Sequence, residues 1–192
     1  MRVSREKAAE NRERIIEAAG ALFREKGFDG IGVVDIMKAA NLTHGGFYGH
    51  FDSKDDLVAQ ASRRAMARAA VNWEKVVSSA KSDPYAALLA HYLSPRHRDE
   101  PSHGCAFAAL SGDAARCGEP VQTAFAQGLE PLIEIVAKAA SGRSKAARRR
   151  KAIATVAEMI GALILARAVG DSALSDEILD AALGELLQPV KR

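Results

Sequence analysis

Apolar positions recur at helical spacing along most of the chain. Between Asn11 and Lys26, Ile15, Ile16, Ala19, Leu22 and Phe23 form one face and Arg12, Glu13, Glu17, Arg24 and Glu25 the other. That pattern predicts an amphipathic helix, closed by Gly27. Met1–Ala9 ahead of it is polar and reads as a flexible arm. Ile36, Met37 and Ala40 mark a short second helix, and Asn41 after it tolerates the left-handed backbone of a sharp turn. Thr43 is placed to cap a small third helix anchored by Phe47 and Phe51. Ser53 and Asp56 stand at capping-box spacing and open a helix to about Ser78. Along it Leu57, Ala61, Ala65, Ala69, Trp73 and Val77 recur every four residues. Further helices are predicted over Tyr85–Leu93, Cys105–Arg116, Val121–Ala140 (kinked at Pro131), Ala152–Val169 and Leu174–Leu187, with Ser94–Gly104 a polar loop. No alternating β-branched run is present and alanine is abundant, so the expected fold class is all-α.

Composition narrows the function. A chain of 192 residues can bury a proper core. Its net charge of +3 permits nucleic-acid binding without arguing for it. The first 54 residues carry only about +1. Two cysteines are too few for a disulfide framework and fit a reducing compartment. There is no apolar run of membrane-span length and no signal-peptide core, so a soluble cytoplasmic protein without a membrane partner is expected. The glycine-rich stretch Gly27–Gly32 matches neither dinucleotide nor P-loop fingerprints and reads as a linker. No nucleophile elbow or cofactor fingerprint stands out, so neither an enzyme nor a cofactor is expected. His91, His97, His103, Cys105 and Cys117 do not fit paired zinc ligands, so no metal is expected. The basic run Gly142–Lys151 reads as a solvated helix face.

The stretch Val33–Leu57 organises the rest. Two short helices joined by a tight turn form the helix-turn-helix pattern that enters the DNA major groove. Thr43, His44, Gly45, Gly46, Tyr48 and His50 share the face opposite Phe47 and Phe51. Polar and aromatic groups over a glycine pair suit a surface that approaches a large anion. The Asp35-Ile36, Ala39-Ala40, Leu42-Thr43, Gly45-Gly46-Phe47-Tyr48 and His50-Phe51 groups lie in one register with Gly27, Phe28 and Ser53-Lys54 through Leu57. In that register they resemble the DNA-binding region of TetR-type (TetR/AcrR family) transcriptional regulators. Ile31 and Gly32 stand where that family usually has hydroxyl residues, Val34 where a basic residue is common, and Asn41 at the usual turn glycine.

The resemblance implies a three-helix DNA-binding head over residues 1–54 and a larger helical body for ligand sensing and dimerisation over residues 55–192. It implies a sequence-specific regulator, a repressor released from a palindromic double-stranded DNA operator by a small-molecule inducer. Thr43, Tyr48, His50 and Lys54 would contact phosphates, His44 a base, and Gly45 and Gly46 would allow the approach. Trp73, Tyr85, Leu88, Tyr92, Phe107, Leu110, Phe125 and Leu129 come from separate body helices and are expected to line an apolar ligand cavity, a filled core being the alternative for any one of them. Cys105 opens a helix beside His103; it reads as a small core residue or, alternatively, as the thiol of a redox or electrophile sensor. Ile153, Val156, Ala157, Ile160 and Ile164 with the small Gly161, and Leu174, Ile178, Ala182 and Leu186, form two apolar stripes. They predict a homodimer joined by a four-helix interface, the alternative being that both helices only cover their own core.

Overall fold

A computed structural model describes residues 5–188. Among these the secondary structure is helical without strands, the all-α fold expected. In chain order the elements are α1 (Arg5–Lys26), α2 (Val33–Ala39), a 3₁₀ helix (His44–Gly49), α3 (Lys54–Ser79), α4 (Pro84–Tyr92), α5 (Pro95–Asp99), a 3₁₀ turn (Pro101–His103), α6 (Ala106–Ala114), α7 (Glu119–Ala139), α8 (Lys145–Ala168) and α9 (Ala173–Leu187).

Two local expectations are corrected. Helix α1 starts at Arg5, so Arg5–Ala9 is not an arm; residues 1–4 lie outside the described residues. Glu6 in the first turn and the Lys7–Glu10 pair at 2.8 Å support the earlier start. The stretch Ser94–Gly104 is not a plain loop either. The Ser94 hydroxyl accepts from the His97 amide at 3.3 Å, and Pro95 preorganises the first turn of α5. Helix α7 continues through Pro131.

The first three helical elements pack on one another, and their buried residues are continuous with the core of the rest. Asn41 has φ 54°, and its amide bonds the Lys38 carbonyl at 2.9 Å while the Leu42 amide bonds Met37 at 2.9 Å. This pair is a Schellman closure, with asparagine in the place glycine usually takes. Phe47 and Phe51 are fully buried with ring centroids 5.5 Å apart, and the Arg12 guanidinium lies 5.2 Å over the Phe51 ring. Arg14 donates to the Ala40 carbonyl, which ties α1 to the end of α2.

Helix α3 joins this unit to the remainder. The Ser53 hydroxyl caps it, accepting from the Asp56 amide at 3.1 Å. One side of α3 faces α1, where Gln60, Arg64 and Arg68 pair with Arg12, Glu13 and Glu17. The Arg64–Glu13 and Arg68–Glu17 pairs are exposed and contribute little each. The other side packs on α7, where a Cβ at Gly128 would stand 2.4 Å from Met66 Sδ and 2.9 Å from Met66 Cβ. A second tie runs from α6: Asp113 accepts from the Phe28 amide at 3.0 Å and fills the space beside Gly27, whose φ is 75°. Helices α8 and α9 pack on each other, with the buried Ser175 hydroxyl donating to the Ala166 carbonyl at 2.8 Å.

Gly128→Ala sets a helix-propensity gain of about 1 kcal/mol against overpacking that costs about 1–3 kcal/mol. Overpacking should win, because the Met66 Cβ cannot rotate away. Gly112→Ala in α6, with open space at its Cβ, should instead raise the melting temperature. Thermal melts of both variants test this; a Gly128→Ala protein that melts higher than the parent refutes the close α3–α7 crossing.

Candidate functional site

The 3₁₀ helix His44–Gly49 presents the surface anticipated for DNA, in a different helical form. It is a 3₁₀ turn rather than an α-helix. Two adjacent glycines in a six-residue segment cannot sustain α-helical bonding alone. Its inner residue Phe47 is buried, and Tyr48 stands edge-on to it with ring centroids 5.2 Å apart and is 71% exposed. Thr43, His44 and Gly45 are exposed, and Gly46, His50 and Lys54 are half-buried. Thr43 has an extended backbone at the N-cap, yet its hydroxyl makes no cap bond. A Cβ at Gly45 would meet nothing within 4 Å, and one at Gly46 would meet Met37 Cε at an ordinary 3.7 Å. Neither glycine has positive φ. Packing and backbone strain therefore leave the glycine pair unexplained. Gly32 caps α2 without a side-chain oxygen, Ile31 is buried and Val34 is 58% exposed.

A half-open cleft of about 500 Å³ lies between α1, α3, the end of α4 and residues 94–105. Of the eight residues expected to line a cavity, only Trp73 and Tyr92 do so. Tyr85, Leu88, Phe107, Leu110 and Phe125 are buried in a filled core instead, and Leu129 packs against it. Phe107 and Phe125 meet edge to face at 5.4 Å, and the Tyr85 hydroxyl pairs with Thr155 at 2.8 Å. These side chains make contacts with one another, as in a close-packed interior. Sequence reasoning missed Arg24 and His97 as lining residues because α1 and the 94–104 stretch read as solvated. A usable signal was present: Ala61, Ala65 and Ala69 ahead of Trp73 leave one side of α3 short of volume.

Cys105 is buried in the cleft wall at the N-cap of α6. Its amide donates to His97 Nε2 at 3.1 Å, and His97 Nδ1 lies 2.8 Å from the Tyr92 carbonyl. The imidazole is thereby fixed neutral with its proton on Nδ1. The Tyr92 side chain is 1% exposed, and its hydroxyl has no partner other than the Cys105 thiol beside it. Burial, then the neighbouring Cys105, pushes the phenol pKa well above its ordinary value.

The sequence profile of the bacterial regulatory proteins of the tetR family matches residues 15–61, the segment that builds this surface. The HTH-type transcriptional repressor DhaR of Mycobacterium sp. (strain GP1) is 26% identical over 115 residues, covering 58% of this chain and 56% of that one. The biofilm operon icaADBC HTH-type negative transcriptional regulator IcaR of Staphylococcus aureus (strain Newman) is 42% identical over 50 residues, covering 26% and 27%. The chain thus spans about half or less of the length of these curated relatives. A TetR transcriptional regulator from Chloroflexus aurantiacus J-10-FL shares the fold with a TM-score of 0.78 at 24% identity, over 94% of both chains. Residues 15–61 are thus a tetR-family segment, and the chain as a whole shares its fold with TetR regulators.

Outside the TetR-type head, the α8–α9 surface carries the two apolar stripes. Ile153, Ile164 and Leu174 are 44%, 40% and 51% exposed, and Ala157 is exposed. Ile160, Gly161, Ile178, Ala182 and Leu186 are half-buried. Val156 is corrected: with Ala152, Met159 and Leu163 it turns inward and fills the subunit's own core. The basic run is a solvated face as read, with Arg149 paired to Glu130 at 2.9 Å and Lys151 lying 4.7 Å over the Tyr85 ring. No helix among the described residues is long and apolar enough to cross a membrane.

Burial lowers the His97 pKa, with the Tyr92 carbonyl opposing in part. A histidine held neutral stabilises the fold fully above its ordinary value of about 6.5, and the contribution is lost as pH falls through that value toward the lowered one. His91 is shifted the same way, by burial and by Arg96. Urea unfolding at pH 7.5 and pH 5.5 should show the parent losing stability on acidification, and His97→Gln losing less. Equal losses in both proteins would contradict the neutral-imidazole geometry.

Proposed function

We propose that this chain is a sequence-specific DNA-binding transcriptional regulator, acting as a homodimeric repressor released from a palindromic operator by a small-molecule ligand. The observation that carries the reading is the 3₁₀ helix surface, where Tyr48 is exposed and the Gly45–Gly46 pair has no role in packing. Repression is inferred from DhaR and IcaR, whose names describe a transcriptional repressor and a negative transcriptional regulator. Residues 1–54 serve as the head, and residues 55–192 as the sensing and dimerising body. Thr43, Tyr48 and His50 contact phosphate, as does Lys54 in the first turn of α3, where amides and helix dipole favour an anion. His44 reads a base edge, and the glycine pair lets the backbone approach. One head reads a half-site, so two are held about 34–36 Å apart by the α8–α9 stripes.

A second reading uses the same head with Cys105 as a redox or electrophile-sensing thiol. Its support is that Cys105 lines the cleft within electrostatic reach of both Arg24 and Arg167. Thiol labelling with and without DNA separates the two: DNA release by thiol modification supports the sensor, and release by a non-reactive compound supports ligand control.

A gel shift with DNA from upstream of the chain's own gene tests the main reading. Tyr48→Phe should weaken binding to every sequence by about 1.5 kcal/mol, roughly tenfold, through one lost hydrogen bond to phosphate. Gly45→Ala should leave the melting temperature unchanged or higher and still weaken binding, and replacing His44 should alter the preferred base. Full-strength binding by a Tyr48→Phe, Lys54→Ala double variant would remove the assignment.

Assembly has its own readout. Ile164→Glu should leave the subunit folded, because the side chain is partly exposed, and should convert a dimer to a monomer by burying an unpaired charge. Sedimentation giving a parent monomer, or a fully dimeric variant, would refute this interface.

A further inference from the structure

The cleft beside α1 holds positive charge that the protein's own carboxylates leave uncancelled. Arg24 and Arg167 are both half-buried. Each donates only to main-chain carbonyls, Arg24 to Ser102 at 2.8 Å and Arg167 to His97 at 2.7 Å and Arg98 at 3.0 Å. Among the described residues neither has a carboxylate within 4.0 Å. The carboxylates that do line the cleft, Glu17 and Glu100, are engaged by Arg68 and Arg96. A cation entering the cleft would therefore meet no free counter-charge, whereas an anion would meet one. Arg24 lines the cleft directly. Arg167 stands behind Gly104, where a Cβ would be 2.8 Å from its Nη2. Trp73 and Tyr92, edge to face at 5.5 Å, form part of the cleft wall together with the small residues Gly20 and Ala65. The buried Tyr92 hydroxyl sits in the same wall beside the Cys105 thiol.

We propose that this cleft binds a small aromatic anion, its carboxylate or equivalent group beside Arg24 and its ring against Trp73 and Tyr92. A volume of about 500 Å³ suits a ligand of that class. Rigid guanidinium donors match a planar carboxylate in two parallel bonds. The proposal rests on the regulator reading in one respect only, namely that occupancy would matter to DNA binding. Ile16, Gly20 and Arg24 belong to α1, so such a ligand touches the head directly as well as the body.

Trp73 is the chain's one tryptophan, so its fluorescence reports the cleft. The full chain, without DNA, is titrated with 4-nitrobenzoate, 4-nitrobenzamide and 4-nitrobenzylamine. The carboxylate should quench Trp73 saturably and bind at least about tenfold more tightly than the amide, with the amine weakest. Arg24→Gln should abolish the preference for carboxylate over amide and leave the amide affinity nearly unchanged. Should that variant fail to fold, the parent alone decides. Carboxylate affinity must then fall with added salt while amide affinity does not, as for an ion pair. Equal affinities, tighter amine binding, a salt-insensitive preference, or no saturable quenching by 4-nitrobenzoate up to about 10 mM would overturn the proposal. A chain that prefers the carboxylate and shifts no DNA retracts the regulator reading and leaves this site standing; one that shifts DNA without the preference does the reverse.

Discussion

Everything in this molecule hangs on the close crossing of α3 and α7, where only glycine fits at position 128 against Met66. With that crossing α3 is clamped to the body along one side and still presents Ala61, Arg64 and Arg68 to α1 on the other. One continuous helix, capped by Ser53 at the end of the head, is shared by both parts. A tilt of α3 relative to α7 must therefore move α1, because the two parts have no flexible linker between them at that point.

A second route reaches α1 from α6. Asp113 meets the chain where α1 ends, at the Phe28 amide and the left-handed Gly27. Arg24, three residues earlier, holds the Ser102 carbonyl, and Arg167 on α8 holds the carbonyls of His97 and Arg98. The segment 97–105 is thus suspended between the helix expected to dimerise and the first helix of the head. Packed cores switch between discrete arrangements rather than deform continuously, so small changes in this segment are the kind that such a frame transmits.

The parts of this structure legible in the sequence are those set by near neighbours in the chain. Asn41 announces its left-handed turn, Ser53 its cap, and Phe47 with Phe51 the buried side of the short helix, each within a few residues. The cleft was not legible because it is assembled from distant stretches. Arg24 on a charged helix face looks solvated until Ser102, 78 residues later, covers it. The aromatic residues that suggested a pocket, Tyr85, Phe107 and Phe125, satisfy one another or Thr155 and fill the core. Composition alone does not separate aromatic side chains that line space from those that fill it. The 3₁₀ form of the third element had a local sign in Gly45 and Gly46, which the motif's usual helical outline obscured.

The most direct test of the shared-helix account is a reciprocal titration. The affinity for DNA from upstream of the gene is measured with and without saturating 4-nitrobenzoate, and the 4-nitrobenzoate affinity with and without saturating DNA. If the cleft and the head are two sites on one coupled frame, both affinities fall, and by the same factor, as linkage requires. DNA affinity that stays constant while the cleft fills, measured on a protein that binds both, would show that α1 and α3 do not carry the coupling.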